Sequence, residues 1–307
     1  MKNIFVIIVT YNGMKWLETC LKSLRASSYP LHIVIVDNNS NDNTVKYLSE
    51  QKDIYLIANK VNKGFGQANN QGIEYGMQHQ ADYFLLINQD AYINSNTIEK
   101  LLETSTCYKD AGIIAPVHLN GNGEKIDTYF LRTVFPSNED FLSDMFLKKM
   151  KRNYVVDNVP AAGWFLSKKT IEELGGFDPL FFHYCEDDHY LQRLRFHQKK
   201  VILDTEAYIK HDREGTLGNV NVYIRKKRRR DLILLASDIN LSSSQLIQKI
   251  GRSFIEYAIL NLFYLLTGKW NMMWNYISDF YYLLSHYNII TKSRRKNKIT
   301  APNWLNL

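Results

Sequence analysis

The stretch Asp82-Tyr-Phe-Leu-Leu-Ile-Asn-Gln-Asp90-Ala-Tyr-Ile93 decides the fold. Its run Tyr83–Asn88 is apolar and ends at Asn88-Gln89-Asp90, which is typical of a short strand buried on both faces of a parallel sheet. The polar end then lies at the carboxyl edge of the sheet, where open α/β folds bind ligands. A carboxylate at that edge can hold a divalent cation against a phosphate-bearing substrate. The alternative is that Asn88 and Asp90 only begin a turn and cap a helix predicted at Thr97–Glu103.

Strand and helix patterns alternate three times before this stretch, which predicts a doubly wound, mostly parallel α/β sheet flanked by helices. After it, a helix is predicted from Glu186 to about His197, whereas residues 118–157 show no clear pattern. The predicted strands are Ile4–Val9, His32–Val36, Ile54–Ala58 and Tyr83–Asn88, followed by short ones at Gly112–Pro116 and Val201–Leu203.

The composition is that of a globular protein with a sizeable core, with 45% apolar and 22% charged residues among 307. Three cysteines without paired spacing favour a reducing cytoplasm over a disulfide framework or a zinc site. The apolar N-terminal run stops at Val9, too short for a signal peptide. No segment reaches the roughly 18 to 20 apolar residues that a membrane-spanning helix needs.

Charge divides the chain at about residue 220, because residues 221–307 hold 14 Lys/Arg against 4 Asp/Glu and residues 1–220 hold 24 against 27. We predict a catalytic domain at 1–220, with halves at about 1–115 and 116–220, and a helical C-terminal appendage at 221–307. The appendage combines the basic run Arg225–Arg230 with an aromatic-rich segment, which suits a membrane surface rather than nucleic acid. Its aromatics could instead pack on the catalytic domain or on a second copy in a homodimer. The aromatic-rich segment comprises Phe254–Leu266, Trp270, Trp274, Phe280, Tyr281 and Tyr282.

Four polar clusters follow predicted strands or begin a predicted helix. A carboxylate such as Asp37, fixed at a strand end beside Thr10-Tyr11-Asn12, can accept the ring N–H of a uracil or thymine, or can simply cap a helix. The glycines of Asn62–Asn70 permit close approach of a ligand, although the third glycine of a dinucleotide fingerprint is missing. Asn88-Gln89-Asp90 is the third cluster. The fourth is Cys185-Glu186-Asp187-Asp188-His189, whose acids either complement the helix dipole or supply a general base.

In this order the clusters resemble a family 2 glycosyltransferase of the GT-A fold, over roughly residues 3 to 215. Each motif is weak alone, and the ordered set is specific. The matching pieces are Val9-Thr10-Tyr11-Asn12, Val36-Asp37-Asn38-Asn39-Ser40, Asn62-Lys63-Gly64-Phe65-Gly66, Asn69-Asn70-Gln71-Gly72, Leu86-Ile87-Asn88-Gln89-Asp90, Gly175-Gly176-Phe177-Asp178, Phe181-Phe182, Glu186-Asp187 and His211.

The resemblance implies roles for individual residues. Asp90 and His211 would bind Mn²⁺ or Mg²⁺. Asn88 stands where the family's Asp-x-Asp element has its first acid, and it could hydrogen-bond a ribose hydroxyl instead. Asp187 would be the base that deprotonates the acceptor, with Glu186 as its neighbour. Asp188-His189-Tyr190 stands in place of the usual x-Asp-Leu, which leaves Asp188 as the alternative base or an acceptor contact. The implied nucleotide-binding residues are Thr10, Tyr11, Asn12, Asp37, Asn62, Lys63, Gly64, Asn69 and Asn88, and Trp164 is either an acceptor-sugar platform or a core residue.

The implied activity is inverting, metal-dependent transfer of a sugar from a UDP- or dTDP-sugar to a glycan hydroxyl. The acceptor would be polyprenyl-diphosphate-linked and the product a bacterial surface polysaccharide, made by an enzyme peripheral to the inner face of the plasma membrane. Alternatives are a sugar-phosphate nucleotidyltransferase, which would need a Gly-rich, Arg-containing loop where Thr10–Lys15 stands, and a non-catalytic carbohydrate-binding module. The sequence does not identify the sugar, acceptor or linkage.

Overall fold

The first half of the chain forms the predicted parallel sheet. The computed structural model describes residues 1–213, 220–268 and 270–307. Strands β1 (Ile4–Thr10), β2 (His32–Asp37), β3 (Ile54–Ala58) and β4 (Tyr83–Asn88) lie in the order β3-β2-β1-β4 and are all parallel. Their carboxyl ends therefore share one edge of the sheet, as predicted from the apolar runs.

The second half extends the same sheet with β5 (Ala91–Ile93), β6 (Ala111–Asn120), β7 (Asn153–Val156), β8 (Gly163–Ser167) and β9 (Lys200–His211). The order continues β4-β8-β6-β9-β5, and β7 pairs with the other part of β9. Because β8, β5 and β7 are antiparallel to their neighbours, six of the nine strands in the described chain point the same way. The predicted mostly parallel doubly wound architecture is confirmed.

Helices cover both faces of the sheet and form the C-terminal region. Between the sheet and the helices of each face lies a hydrophobic core. Because side chains alternate along a strand, Phe5 and Ile7 of β1 pack in one core and Ile4, Val6 and Ile8 pack in the other. The helices are α1 (Met14–Arg25), α2 (Thr44–Ser49), α3 (Phe65–Gln78), α4 (Thr97–Cys107), α5 (Thr128–Val134), α6 (Glu139–Phe146), α7 (Lys168–Leu174), α8 (Glu186–Phe196), α9 (Val220–Ser237), α10 (Ser243–Leu266), α11 (Trp270–Ser285) and α12 (Tyr287–Asn297).

Strand β9 is much longer than the predicted Val201–Leu203. The prediction was too short because polar residues in the middle of the strand hide its apolar pattern. Asp204 is buried, and its carboxylate accepts hydrogen bonds from Thr104 Oγ1 (2.6 Å) and the Glu206 amide (2.9 Å). The pairing with β6 shifts register at this point and then continues to His211. This extension brings His211 to the edge where β4 ends.

The C-terminal segment packs against the body formed by the sheet and its helices, as contacts of α12 and Trp304 show. Buried Asp178 accepts hydrogen bonds from Ser293 Oγ (2.6 Å) and Asn297 Nδ2 (2.7 Å) of α12. Asn70 of α3 donates to the Trp304 carbonyl at 3.2 Å. In the described residues no helix combines the length and the apolar character needed to cross a membrane. The division at residue 220 stays a prediction.

Candidate functional site

The end of β4 is tied to the end of β1 by Gln89. Its Oε1 accepts hydrogen bonds from Thr10 Oγ1 (2.6 Å) and the Tyr11 amide (3.0 Å). A side chain at Gly13 would overlap this amide group. Gln89 therefore fixes the strand ends, and the turn that it holds leaves Asn88 and Asp90 facing a cavity.

Asp90 and His211, far apart in sequence, are adjacent in space. Ala91 of β5 pairs with His211 of β9, and the His211 Nε2 lies 3.2 Å from Asp90 Oδ1. His211 is only 2% exposed, and its Nδ1 has no hydrogen-bond partner. The ring of buried His118 stands edge-on to it, at 6.1 Å between centroids.

A carboxylate beside an imidazole is a donor set that Mn²⁺ accepts. Within the described residues, no group of three or more His, Cys, Asp and Glu side chains converges as a metal site. Asp90 and His211 thus fit a cation whose remaining ligands come from water and a substrate, as is usual for ions bound through phosphates.

The loop after β3 is organised by Asn38. The Asn38 Nδ2 donates to Asn62 Oδ1 (2.9 Å) and to the Gly64 carbonyl (3.2 Å), while its Oδ1 accepts from the Lys63 amide (2.9 Å). Gly64 has φ +83°, and a Cβ there would overlap the Phe182 carbonyl oxygen. Only glycine permits both the left-handed conformation and this approach.

Two adjoining cavities occupy the edge. The Asp90 cavity, of about 550 Å³, is lined by Tyr11, Asn38, Asn62, Gly64, Asn88, Asp90 and His211, among others. The Asp187 cavity, of about 340 Å³, is lined by Tyr129, Glu186, Asp187, Asp188, Lys227, Arg230 and neighbours. Asn88 and Arg213 line both cavities, so the two form one continuous cleft.

Several predicted nucleotide-binding residues lie behind the Asp90 cavity rather than on its wall. Asp37 is buried, and its carboxylate accepts hydrogen bonds from the Asn39 amide (3.1 Å), the Ser40 amide (3.0 Å) and Ser40 Oγ. Asn12 Oδ1 accepts from the Asn41 amide (2.9 Å). Asn69 Nδ2 donates to the Phe65 carbonyl (3.0 Å). Like buried Thr10, these side chains shape the loops around the cavity, and base recognition by Asp37 stays a prediction.

The acids of the Asp187 cavity stand at the beginning of α8. The two residues before them, Tyr184 (φ 67°) and Cys185 (φ 70°), are both left-handed. Non-glycine residues rarely adopt this conformation, and it is maintained only where the surroundings enforce it. The turn delivers Glu186, Asp187 and Asp188 to the cavity wall.

Desolvation raises the pKa values of all three acids, and the charge of Asp187 adds to this effect at Glu186 and Asp188. Glu186 is 6% exposed, and its Oε2 has no hydrogen-bond partner. Desolvation, and then the charge of Asp187, raise the pKa of Glu186 to about 8. Desolvation also raises the pKa of Asp187, opposed by backbone N–H donors and by Arg213, and the pKa of Asp188 to about 6. A carboxylate with a raised pKa is suited to general-base catalysis near neutral pH.

Trp164 belongs to the core, which corrects its prediction as an acceptor platform. It is fully buried, stacked on Phe177 at 6.0 Å between ring centroids and tilted against Tyr190 at 5.6 Å. No ring face is left for a sugar. Tyr129 is instead a half-exposed aromatic residue of the Asp187 cavity, with the Arg213 guanidinium 4.6 Å from its ring centroid.

Sequence reasoning missed several residues of the cleft, among them Tyr129, Arg213, Lys227 and Arg230. Tyr129 falls in the segment without a clear pattern, and Arg213 follows His211 by two residues. Lys227 and Arg230 belong to a basic run that was interpreted as a surface feature. Aromatic and cationic side chains near predicted acids were the available signal, but only the fold shows which of them face the cleft.

Comparisons with known proteins identify the family of the chain. The model of "Glycosyl transferase family 2" matches residues 5–175. The chain is 28% identical to "dTDP-rhamnosyl transferase RfbF" of Shigella flexneri over 63% of this chain and 64% of that one. It is 22% identical to the "N-acetylglucosaminyl-diphospho-decaprenol L-rhamnosyltransferase" of Mycobacterium tuberculosis, over 59% of this chain and 67% of the relative. The match to RfbF thus spans less than two thirds of that relative.

A solved structure shares the fold. S. aureus TarS in complex with UDP-GlcNAc superposes with a TM-score of 0.53 at 17% identity, covering 81% of this chain and 70% of that chain. This likeness supports the GT-A-like architecture. The family model covers more than half of the chain, including the ends of β1, β2 and β4 that line the cleft. The chain belongs to glycosyl transferase family 2.

Proposed function

We propose that the chain is an inverting glycosyltransferase that moves a sugar from a UDP- or dTDP-sugar to a hydroxyl of a glycan acceptor. The observation that carries this proposal is the joining of the Asp90 and Asp187 cavities at Asn88 and Arg213. One cavity offers a metal-ligand pair and backbone-rich loops, and the other offers carboxylates of raised pKa. Two substrates placed in them would meet at the junction.

The Asp90 cavity would hold the donor. Asn62 and Gly64 face it from the loop after β3, and Tyr11 from the end of β1. Asp90 and His211 would hold Mn²⁺ or Mg²⁺, which when bound supplies charge neutralisation at the donor's diphosphate. Arg213 adds a fixed positive charge where the cavities join, so that a leaving diphosphate is met by a pre-oriented guanidinium.

Asp187 would accept the proton of the attacking hydroxyl. Its raised pKa strengthens it as a base, while backbone donors and Arg213 keep the charged form accessible. Glu186, the more deeply buried acid, would carry a proton at neutral pH and so limit repulsion within the pair. The acceptor oxygen attacks the anomeric carbon from the face opposite the leaving diphosphate, which inverts the configuration in one displacement. Holding both reactants in one cleft supplies much of the rate.

The acceptor would be a polyprenyl-diphosphate-linked glycan used in surface polysaccharide synthesis, with the enzyme peripheral to the cytoplasmic face of the membrane. The names of the rhamnosyltransferase relatives support this class of product. Exposed apolar side chains along α10, including Ile255 and Ile259 (each 64% exposed) and Leu262 (56%), suit a membrane interface. The side chains of Trp270, Trp274 and Phe280 lie outside the described residues, as does the connection 214–219. Burial of the α10 face in a homodimer is the alternative.

A thermal-shift panel of UDP- and dTDP-sugars with Mn²⁺ tests the donor assignment. A sugar nucleotide that binds the folded protein raises the unfolding midpoint in proportion to the logarithm of its concentration over its Kd. We expect Asp90→Ala to lose the metal-dependent part of that stabilisation. Glu99→Ala, at an exposed position of α4, is the control. Equal metal-dependent stabilisation of wild type and Asp90→Ala would contradict the assignment.

A further inference from the structure

The basic run on α9 does not form one continuous charged surface. Arg228 and Arg229 both bind the fully buried carboxylate of Asp279 on α11, with 2.7 Å between Arg229 Nε and Asp279 Oδ1. These two cations therefore join helices α9 and α11. Lys227 and Arg230 lie elsewhere, on the wall of the Asp187 cavity.

Helix periodicity explains this division. Positions 227, 230 and 231 are three and four residues apart, so their side chains share one face of α9. Lys227 Nζ pairs with Asp231 Oδ2 at 2.8 Å, and all three side chains line the cavity. The same helix packs on the loop that precedes the catalytic acids, since Ile233 and Ala236 share a buried cluster with Phe181 and Cys185.

In the described part of the chain, Arg230 is held by an aromatic ring rather than by an ion pair. Its guanidinium lies over the Tyr184 ring, 4.7 Å from the centroid, and no ion pair to it is among those found in the described residues. Its Nε is buried without a hydrogen-bond partner. A buried donor left unpaired is costly, which is expected where a ligand supplies the acceptor atom.

We propose that Lys227 and Arg230 bind an anionic phosphate or diphosphate group of the acceptor, the group that links the acceptor sugar to its lipid. The inference rests on the proposed function, because it places the acceptor hydroxyl at Asp187 and the linking group against α9. The donor diphosphate is assigned elsewhere, since Lys227 and Arg230 line the Asp187 cavity and not the Asp90 cavity. Together the two cations place positive charge close to the acids of the cavity, Arg230 acting on Glu186 and Lys227 on Asp188, and this charge discriminates anionic acceptors from neutral ones.

Titration calorimetry with geranyl diphosphate as the probe tests this inference. The protein is first saturated with Mn²⁺ and with UDP or dTDP, whichever stabilises it, so that the Asp90 cavity is filled. We expect wild type to bind geranyl diphosphate at least tenfold more tightly than geraniol or inorganic pyrophosphate. Arg230→Gln should weaken that binding about 10- to 100-fold, the effect of losing a charge-assisted hydrogen bond.

The matched control is Lys226→Gln, which removes one exposed cation from the same helix and should change the affinity less than twofold. Lys227→Gln provides a second test if Arg230→Gln unfolds. Three outcomes would each overturn the inference. They are equal losses of affinity in Arg230→Gln and Lys226→Gln, binding of geraniol as tight as that of geranyl diphosphate, and binding of the carboxylate sugar glucuronate that is tighter than that of geranyl diphosphate. If wild type binds neither UDP nor dTDP, the proposed function fails and the inference fails with it. Nucleotide binding without a diphosphate preference defeats the inference alone.

Discussion

The two cavities of the cleft are built differently. The Asp90 cavity is formed mainly by loops that follow parallel strands, and its polar side chains mostly hydrogen-bond one another, as Asn38 and Asn62 do. The Asp187 cavity gathers side chains from α5, the start of α8, the end of β9 and α9, and its acids repel one another. The first is rigidified by hydrogen bonds among its own side chains, and the second holds carboxyl groups whose pKa values are raised. Variants in the two cavities should therefore change different kinetic parameters: donor KM for the Asp90 cavity, and kcat and its pH dependence for the Asp187 cavity.

The largest effect should come from Asp187→Asn in the Asp187 cavity. The amide cannot accept the acceptor's proton, so we expect kcat to fall by about 10³-fold, within the range for loss of a general base. Sugar-nucleotide binding should stay within twofold, because Asp187 does not line the Asp90 cavity. Steady-state kinetics together with calorimetry of donor binding measure both. If Asp188→Asn gives the larger loss of kcat, the base is Asp188.

Gly64→Ala should disrupt the Asp90 cavity. A Cβ at Gly64 would overlap the Phe182 carbonyl, and the residue has φ +83°, so the loop after β3 must move. We expect the KM for the donor to rise by about 10-fold or more. The pKa values of the acids in the Asp187 cavity, read from kcat/KM against pH, should stay unchanged. Gly251→Ala is the control, since nothing lies within 4 Å of a Cβ there. A normal donor KM would show that the loop does not contact the nucleotide.

Arg213→Gln addresses the junction of the cavities. The positive charge of Arg213 favours ionised Asp187 and lowers its pKa, so removing it should raise that pKa further. Activity would require the unprotonated base, so the acid limb of kcat/KM against pH should shift to higher pH. Donor KM should rise as well. A shift of the acid limb to lower pH would contradict this electrostatic role.

The smallest effect on activity should be that of Glu186→Gln, which instead changes the pH dependence of stability. The pKa of Glu186 is raised to about 8 in the folded protein from an unfolded value of about 4.3. The folded state therefore binds this proton more tightly, and its stabilising effect, present below the unfolded pKa, is lost as pH rises through the folded pKa. Wild-type Tm should fall between about pH 5 and 8 relative to Glu186→Gln, whose profile should be flatter in scanning calorimetry. Parallel profiles would show that Glu186 does not titrate in this window.

The comparison also shows where prediction from sequence succeeded. The strands β1 to β4 were recognisable because each is a short apolar run bounded by polar residues, and parallel pairing follows from the helices between them. Prediction failed where polar residues are buried inside a strand, as at Asp204 in β9, because a buried hydrogen-bonded carboxylate breaks the alternation. It left Trp164 undecided between the core and an acceptor platform, since the sequence does not show whether an aromatic residue near a predicted site is buried.

The sequence alone determined the strand ends, the acids of α8 and the family resemblance, because these are properties of short segments with local periodicity and spacing. Only the tertiary structure decided that His211 lies 3.2 Å from Asp90, and that two cations of one basic run line the cleft while two others join helices. Such pairings depend on register and on helix rotation over more than a hundred residues. A slip of one residue in β9 would turn its side chains to the opposite face of the sheet, and a shift of one residue in α9 would rotate its side chains by about 100° around the helix axis.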